Sequence, residues 1–168
     1  LDDSYAEAHA LLGYLYTMTK QYEKGIAQAE KAVALNPNSA ESYMRLGKTL
    51  SFAGRWGESI PVYKKAIRLN PIPQNIYFYS LGISYFYTGQ YEEAIEWCEK
   101  AVRQEPDSLY ARQMMTVVYS DSGRLEEARA QAAEMLRIQP KYTVKRGAYK
   151  RKEDTDRMVS ALHKAGLK

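Results

Sequence analysis

The side chains that could support covalent or acid–base catalysis are few and widely separated. The chain contains two histidines, His9 and His163, and one cysteine, Cys98. A nucleophile needs a base within hydrogen-bond reach, and these three residues lie in different helical segments. The carboxylates, such as Glu92 and Glu93, are scattered on outer helix faces, where solvation explains them. Because there is also no glycine-rich phosphate loop and no metal-ligand spacing, the sequence predicts a non-enzymatic chain with no metal, no cofactor and no small-molecule substrate.

Tyrosine is the residue whose abundance indicates binding. The chain has 15 tyrosines against three phenylalanines. A tyrosine offers an apolar ring with a polar tip, and this combination is enriched at interfaces. We therefore expect recognition of another molecule rather than chemistry on a substrate, on a surface set by the elements that position these rings.

Four prolines divide the chain into nearly equal lengths: Pro37, Pro71, Pro106 and Pro140 are 34, 35 and 34 residues apart. A fixed period of this size indicates one supersecondary unit that is copied and stacked. Stacked units form an extended surface rather than an enclosed pocket. Each proline ends a helix, and Ser39 or Asp107-Ser108 can cap the next one.

Within each period the same residue types recur at a constant distance from the closing proline. In the third period Phe78, Leu81, Gly82 and Tyr85 have the i, i+3, i+4, i+7 spacing of one helix face. Ala94 is the small residue expected opposite Gly82, where a second helix approaches closely. The other periods carry the same positions as His9, Leu12, Gly13, Tyr16 and Gly25, as Tyr43, Leu46, Gly47, Leu50 and Ser59, and, most loosely, as Arg112, Met115, Thr116, Tyr119 and Ala128.

This pattern resembles the tetratricopeptide repeat (TPR) across residues 6–140. The resemblance implies an all-α fold, a right-handed α-solenoid of TPR helical hairpins with a C-terminal capping helix. The expected organisation is a remnant of a preceding repeat at 1–5, TPR 1 at 6–39, TPR 2 at 40–73, TPR 3 at 74–108, a degenerate TPR 4 at 109–140, a basic linker at 141–152 and a capping helix at 153–168. We expect Asp154 or Thr155 to cap that last helix, and its buried face to consist of Met158, Ala161, Leu162 and Ala165.

The two ends of the chain carry further resemblances. The residues from Leu1 to Glu7 align with Leu35–Glu41, so we expect a piece of a longer array with more repeats or another domain upstream. The stretch from 158 to 167 is similar to the close of TPR regions in bacterial signalling proteins such as class III adenylate cyclase-like proteins. That resemblance implies that any cyclase chemistry lies outside this chain.

Charge is concentrated in the tail. Residues 141–168 hold nine Lys or Arg against three Asp or Glu, so the tail rather than the repeats makes the chain basic. The favoured interpretation of this basic stretch is a solvated linker, and the alternatives are binding of an acidic partner, of nucleic acid or of anionic lipid. No segment resembles a membrane span or a signal peptide, and we expect a cytoplasmic protein.

The predicted binding site follows from the resemblance, because in the TPR family the first helix of each repeat lines the concave face. In the third period, residues roughly 140° away from the Leu-Gly face form a second apolar face. We use the name inner-face residues for this set and its counterparts: Met44, Lys48, Phe52, Ile76, Tyr79, Ile83, Phe86, Tyr87, Tyr110, Gln113 and Val117. They are predicted to bind an apolar or amphipathic peptide or helix of a protein partner, with Tyr79, Ile83 and Phe86 as central anchors.

Four alternatives to this site remain open. Packing between helices could use up the apolar stripe, the protein's own tail could occupy it, or the stripe could make a homo-oligomer. RNA binding is the weakest of the four, because RNA grooves need Lys or Arg to neutralise phosphate and Lys48 is the only cation in the stripe. For the same reason a clamp for a C-terminal carboxylate is not expected.

Overall fold

The computed structural model describes residues 3–145 and 149–168, and these residues form helices and connecting turns with no strand. They divide into two compact units. The first unit contains the described part of 1–73 together with 149–151, and the second unit contains the described part of 74–148 together with 152–168. Residues 1–2 of the expected remnant and residues 146–148 of the basic linker lie outside the described residues.

The first unit is built from two helical hairpins. Its helices are α1 (Asp3–Met18), α2 (Tyr22–Leu35), α3 (Ala40–Phe52) and α4 (Trp56–Leu69). Helix α1 packs on α2 and α3 on α4, while α3 also contacts α1 and α2. The Ser39 hydroxyl accepts the backbone N–H of Ser42 at 3.1 Å, so the predicted cap of α3 is confirmed.

The second unit contains two further hairpins and a last helix. Its helices are α5 (Asn75–Tyr87), α6 (Tyr91–Gln104), α7 (Leu109–Asp121), α8 (Leu125–Ile138) and α9 (Lys152–Lys164). Helices α5 and α6 pair, α7 and α8 pair, and α7 also contacts α5, α6 and α9. Ser108 stands at the N-cap of α7, but its side chain makes no capping hydrogen bond, in contrast to Ser39. Over the described residues, the prediction of an all-α array of helical hairpins is therefore confirmed.

The close approach predicted at Gly82 is present in the α5–α6 hairpin. A Cβ added at this glycine would lie 2.6 Å from Cys98 Sγ and 3.1 Å from the Ala94 carbonyl oxygen. Cys98 is fully buried in this contact, and burial raises the pKa of its thiol to about 12. Cys98 therefore acts as a small core residue and not as a nucleophile.

The turns between paired helices need a left-handed residue. Gly54, between α3 and α4, has a φ of 77°, and Lys20, at the same place between α1 and α2, has a φ of 61°. Glycine adopts this conformation without a steric penalty, whereas a residue with a Cβ does not. The first turn is therefore strained at Lys20.

The last helix begins before the two residues that were expected to cap it. Because α9 begins at Lys152, Asp154 and Thr155 lie inside its first turn, and the expectation that either residue caps the helix is wrong. Its predicted apolar face is buried, as seen at Met158, Ala161 and Leu162. No helix in the described ranges is both long and apolar enough to cross a membrane.

Candidate functional site

The structure places the eleven inner-face residues in environments that differ widely. Three lie in the first unit and eight in the second. Four are buried, namely Met44, Ile83, Phe86 and Val117. Six are partly buried, namely Lys48, Phe52, Ile76, Tyr79, Tyr87 and Gln113, and only Tyr110 is exposed. The part of the predicted surface that a partner could reach is therefore smaller than the sequence suggested.

The accessible part in the second unit is a group of tyrosines. The rings of Tyr79 on α5 and Tyr110 on α7 stack with centroids 6.4 Å apart and planes inclined by 25°. Tyr110 is 67% exposed. The hydroxyl of Tyr142, which follows α8, donates to Gln113 Oε1 at 3.1 Å. Burial, with Tyr110 and Glu105 nearby, raises the pKa of Tyr79 to about 12, so the phenol stays neutral at physiological pH.

The neighbouring part of the same face is covered by the chain's own last helix. Arg157 of α9 donates from Nε and an Nη to Asp121 Oδ2 at 2.9 and 2.6 Å, and from an Nη to the Tyr91 hydroxyl at 2.7 Å. Its guanidinium lies 4.2 Å from the centre of the Phe86 ring. The Tyr87 hydroxyl donates to the Asp154 carbonyl oxygen at 2.7 Å. We use the name Arg157 cluster for Arg157, Asp121, Tyr91 and Phe86.

Two of the three predicted central anchors are therefore not available to a partner in this structure. Phe86 is fully buried, with Arg157 and the rings of Tyr87 and Tyr91 around it. Ile83 is 6% exposed. The apolar second face of α5 is largely internal, as one of the alternatives anticipated, and Tyr79 is the predicted anchor that stays partly open.

Lys48, the single cation of the predicted stripe, is partly buried on α3. Desolvation by its surroundings lowers the pKa of its ammonium group, against the opposing effect of Glu41. The nearby charge of Arg45 lowers the pKa further, so the charged form of Lys48 is less favoured here than in a solvated lysine.

The first unit holds a site that the sequence analysis did not identify. The Tyr149 ring packs on Phe52 at 5.6 Å and edge-on against Trp56 at 5.0 Å, with an interplanar angle of 77° to Trp56. The backbone N–H of Lys150 donates to the Phe52 carbonyl oxygen at 2.8 Å. Lys150 Nζ lies 3.2 Å from Glu23 Oε1 and 5.7 Å from the centre of the Tyr22 ring. We use the name aromatic slot for Tyr22, Glu23, Phe52 and Trp56.

A signal for this slot was present in the repeat pattern. Tyr22, Trp56 and Tyr91 each stand 15 residues before the closing proline of their repeat, at the first position of a second helix. In the first unit this position contacts Tyr149 and Lys150, and in the second unit it contacts Arg157. The recurring positions that predict the hairpins are those that pack them together, and this aromatic position is not among them.

Comparison with known proteins agrees with this architecture. Tetratricopeptide repeat models match residues 6–39, 40–73 and 76–108. The BBSome complex member BBS4 of Bos taurus is 30% identical over 100 residues, which is 60% of this chain but 19% of that protein. A peroxisomal targeting signal receptor of Candida albicans is 32% identical over 91 residues, 54% of this chain and 15% of the receptor. The chain thus spans a fifth or less of these curated relatives.

Solved structures show the same fold. YrrB, described as a TPR protein with an unusual peptide-binding site, superposes with a TM-score of 0.66 at 22% identity, covering 94% of this chain and 82% of YrrB. TTC0263, a thermophilic TPR protein of Thermus thermophilus, gives a TM-score of 0.72 at 24% identity, covering 94% of this chain and 81% of that protein. The repeat matches and the helical hairpins together identify this chain as a member of the tetratricopeptide repeat family.

Proposed function

We propose that this chain is a non-catalytic protein–protein interaction module that binds an apolar or amphipathic peptide or helix through the inner-face residues that stay accessible around Tyr79 and Tyr110. TPR domains bind protein partners, and the repeats themselves are scaffolds rather than catalysts. The observation that carries the proposal is the stacked pair of Tyr79 and Tyr110, because Tyr110 is 67% exposed. On the same helix, Gln113 is in contact with Met158 of the amphipathic helix α9.

The chemistry of α9 supports the class of ligand. This helix lies against α7 with its apolar face buried, including Met158 and Leu162, and Gln113 Nε2 lies 3.9 Å from Met158 Sδ. An inner face that packs an amphipathic helix of its own chain has the apolar and hydrogen-bonding groups needed for a similar partner segment. We infer that a partner extends from the tyrosine pair rather than from the buried Phe86.

The test is a direct binding measurement with defined amphipathic helical peptides, using fluorescence anisotropy on the full chain. The double variant Tyr110→Ala with Tyr79→Ala removes the accessible rings, and we expect about a tenfold or greater loss of affinity. A matched control, Tyr5→Ala, removes an exposed tyrosine of α1 that lies in the other unit. Equal affinity of the double variant and the control would overturn the proposal.

Self-association is the second candidate, and one observation favours it. Helix α1 exposes large apolar side chains, namely Tyr5, Leu11, Leu12, Tyr14, Leu15 and Met18. Contiguous exposed apolar surface is typical of an interface. Light scattering over a concentration series tests this candidate, since Leu11→Glu with Leu15→Glu should convert any dimer into a monomer. A monomer at high concentration of the unaltered chain rules it out.

Two broader proposals concern context. The resemblance of residues 158–167 supports a place in a bacterial signalling protein of the class III adenylate cyclase-like type, and a cytoplasmic location accompanies it.

RNA binding is the weaker alternative, because the inner-face residues contain Lys48 as their only cation. Anisotropy with a labelled single-stranded oligonucleotide tests that alternative in the same assay.

A further inference from the structure

The tail residues Tyr149 and Lys150 contact the first unit in the way that a short peptide ligand contacts a receptor. The segment 149–151 is grouped with the first unit, whereas 152–168 belongs to the second. Its contacts include one aromatic ring on Phe52 and Trp56, one main-chain hydrogen bond to the Phe52 carbonyl oxygen, and one lysine head group near Glu23 and Tyr22. Each of these three contacts pairs a group of the tail with a group of the first unit that could bind the same group of another peptide.

The main-chain contact is available to any peptide. Phe52 is the last residue of α3, and the final carbonyls of a helix have no partner inside the helix. The carbonyl of Phe52 therefore accepts an N–H from outside, here that of Lys150 at 2.8 Å. A backbone acceptor selects no particular side chain, but it fixes the direction and register of the segment that binds to it.

The side-chain contacts supply the selectivity. Phe52 and the edge-on Trp56 accept a flat ring at 5.6 and 5.0 Å. Glu23 lies 3.2 Å from the adjacent lysine, whose head group is also near the face of Tyr22. A carboxylate beside an aromatic face favours a cation. The aromatic slot therefore matches an aromatic residue followed directly by lysine.

The hold of the tail on this slot is weak enough for exchange. The Lys150 and Glu23 side chains are 48% and 71% exposed, so solvent screens their attraction. A contact of two side chains and one hydrogen bond gives a dissociation constant on the order of 0.1–1 mM for a free peptide. Tethering supplies an effective concentration on the order of 1 mM, which is similar to that dissociation constant, so we expect the tail to leave the slot in part of the molecules.

We propose that the aromatic slot is a recognition site for a partner segment that carries an aromatic residue followed by lysine, and that Tyr149–Lys150 is its internal competitor. The site shares Phe52 with the inner-face residues, but it goes beyond the inner-face proposal because it lies in the first unit and does not use Tyr79 or Tyr110. A partner that presents several such contacts displaces the tail, and the basic tail then becomes available to solvent.

The test uses the full chain with Trp97→Phe, so that Trp56 is the remaining tryptophan, and the peptide Gly-Ala-Tyr-Lys-Arg-Lys as probe. In the vacated chain, Tyr149→Ser with Lys150→Ser, the peptide should change Trp56 fluorescence and bind about two- to tenfold more tightly than to the parent chain. Lys145→Ser is the matched control, because it removes an exposed lysine of the same basic stretch. Equal affinities for the parent and the vacated chain would overturn the proposal.

A charge swap separates recognition from a purely structural role of the tail. In the vacated chain, Glu23→Lys should weaken binding of the probe about two- to fivefold. A peptide with Glu in place of the first Lys should then regain affinity for the Glu23→Lys chain. Failure of that rescue, or equal binding of a peptide with Ala in place of Tyr, would contradict the assignment. Tyr110→Ala should leave these affinities unchanged, so the outcome is distinguishable from failure of the inner-face proposal.

Discussion

Replacing Arg157 by alanine should weaken the packing of helix α9 within the second unit. In the Arg157 cluster the guanidinium donates to Asp121 and Tyr91 and lies 4.2 Å from the Phe86 ring centre. The side chains of Arg157 and Asp121 are 33% and 18% exposed, so water screens this pair only in part. A charged hydrogen bond is worth about 1.5–3 kcal/mol, and the contact with the ring about 0.5–1 kcal/mol at a partly exposed site.

The local opening free energy of α9 should therefore fall by about 2–4 kcal/mol in Arg157→Ala. Since 1.4 kcal/mol corresponds to a factor of ten, amide hydrogens of α9 should exchange about 30- to 1000-fold faster. Hydrogen exchange with mass spectrometry on peptides that cover 152–164 measures this directly. Arg157→Lys keeps the charge but not the planar fork, and its exchange should be intermediate.

The matched control is Arg129→Ala in α8. Arg129 pairs with Glu126 at 2.7 Å, but their side chains are 56% and 85% exposed. An exposed pair of this kind is worth about 0.3–0.5 kcal/mol, so α9 exchange should stay close to that of the unaltered chain. Exchange in Arg157→Ala no faster than in Arg129→Ala would refute the reasoning that this cluster holds α9 in place.

Three further predictions concern the repeats themselves. Lys20→Gly should raise the free energy of unfolding by about 0.5–1 kcal/mol, because Lys20 has a φ of 61°. Gly89→Ala, at a φ of 79°, should lower the free energy of unfolding by about 1 kcal/mol. Urea denaturation in which both variants change the free energy of unfolding in the same direction would contradict this. The Cys98 thiol is fully buried, and burial raises its pKa to about 12. It should therefore react with a thiol reagent at pH 8 only as fast as the α5–α6 hairpin opens. Rapid stoichiometric labelling of the folded chain would be inconsistent with that burial. Burial raises the pKa of Tyr79 to about 12 from an unfolded value near 10, so its contribution to stability is complete below pH 10 and is lost as the pH rises toward 12. Between pH 9 and 11, the Tyr79→Phe variant should therefore lose less stability than the parent chain. Identical losses of stability in urea titrations of the two chains would argue against this.

The repeat pattern predicted the hairpins because their contacts are local and recur. Gly82 opposite Ala94 and Cys98 is a contact between neighbouring helices, and its residue types are visible at fixed distance from Pro106. Comparison of four copies makes such a requirement stand out. At Lys20 the sequence lacks the glycine that stands in the other three turns, and the backbone is nevertheless left-handed there.

The contacts of the tail could not be predicted in this way. Arg157 contacts Asp121, Tyr91 and Phe86, which are 36 to 71 residues earlier in the chain. The repeat pattern contains the aromatic position at Tyr91, but it does not indicate which residue of the tail contacts it. A helical wheel showed that α5 is apolar nearly all round, but it cannot tell whether a neighbouring helix or a partner covers the second face. The burial of Phe86 depends on where α9 lies, and no local spacing encodes that position.

The position of the aromatic slot within the repeat has a consequence for protein engineering. Two of its aromatic residues, Tyr22 and Trp56, are the first residues of second helices, and an acidic residue follows this position at Glu23, Glu92 and Glu126 in three of the four repeats. A feature at a constant position in the repeat is kept when repeats are added, removed or exchanged. If every repeat carried an aromatic residue and Glu at the start of its second helix and Phe at the end of its first, each pair of neighbouring repeats would reproduce the proposed slot, at a spacing set by the repeat.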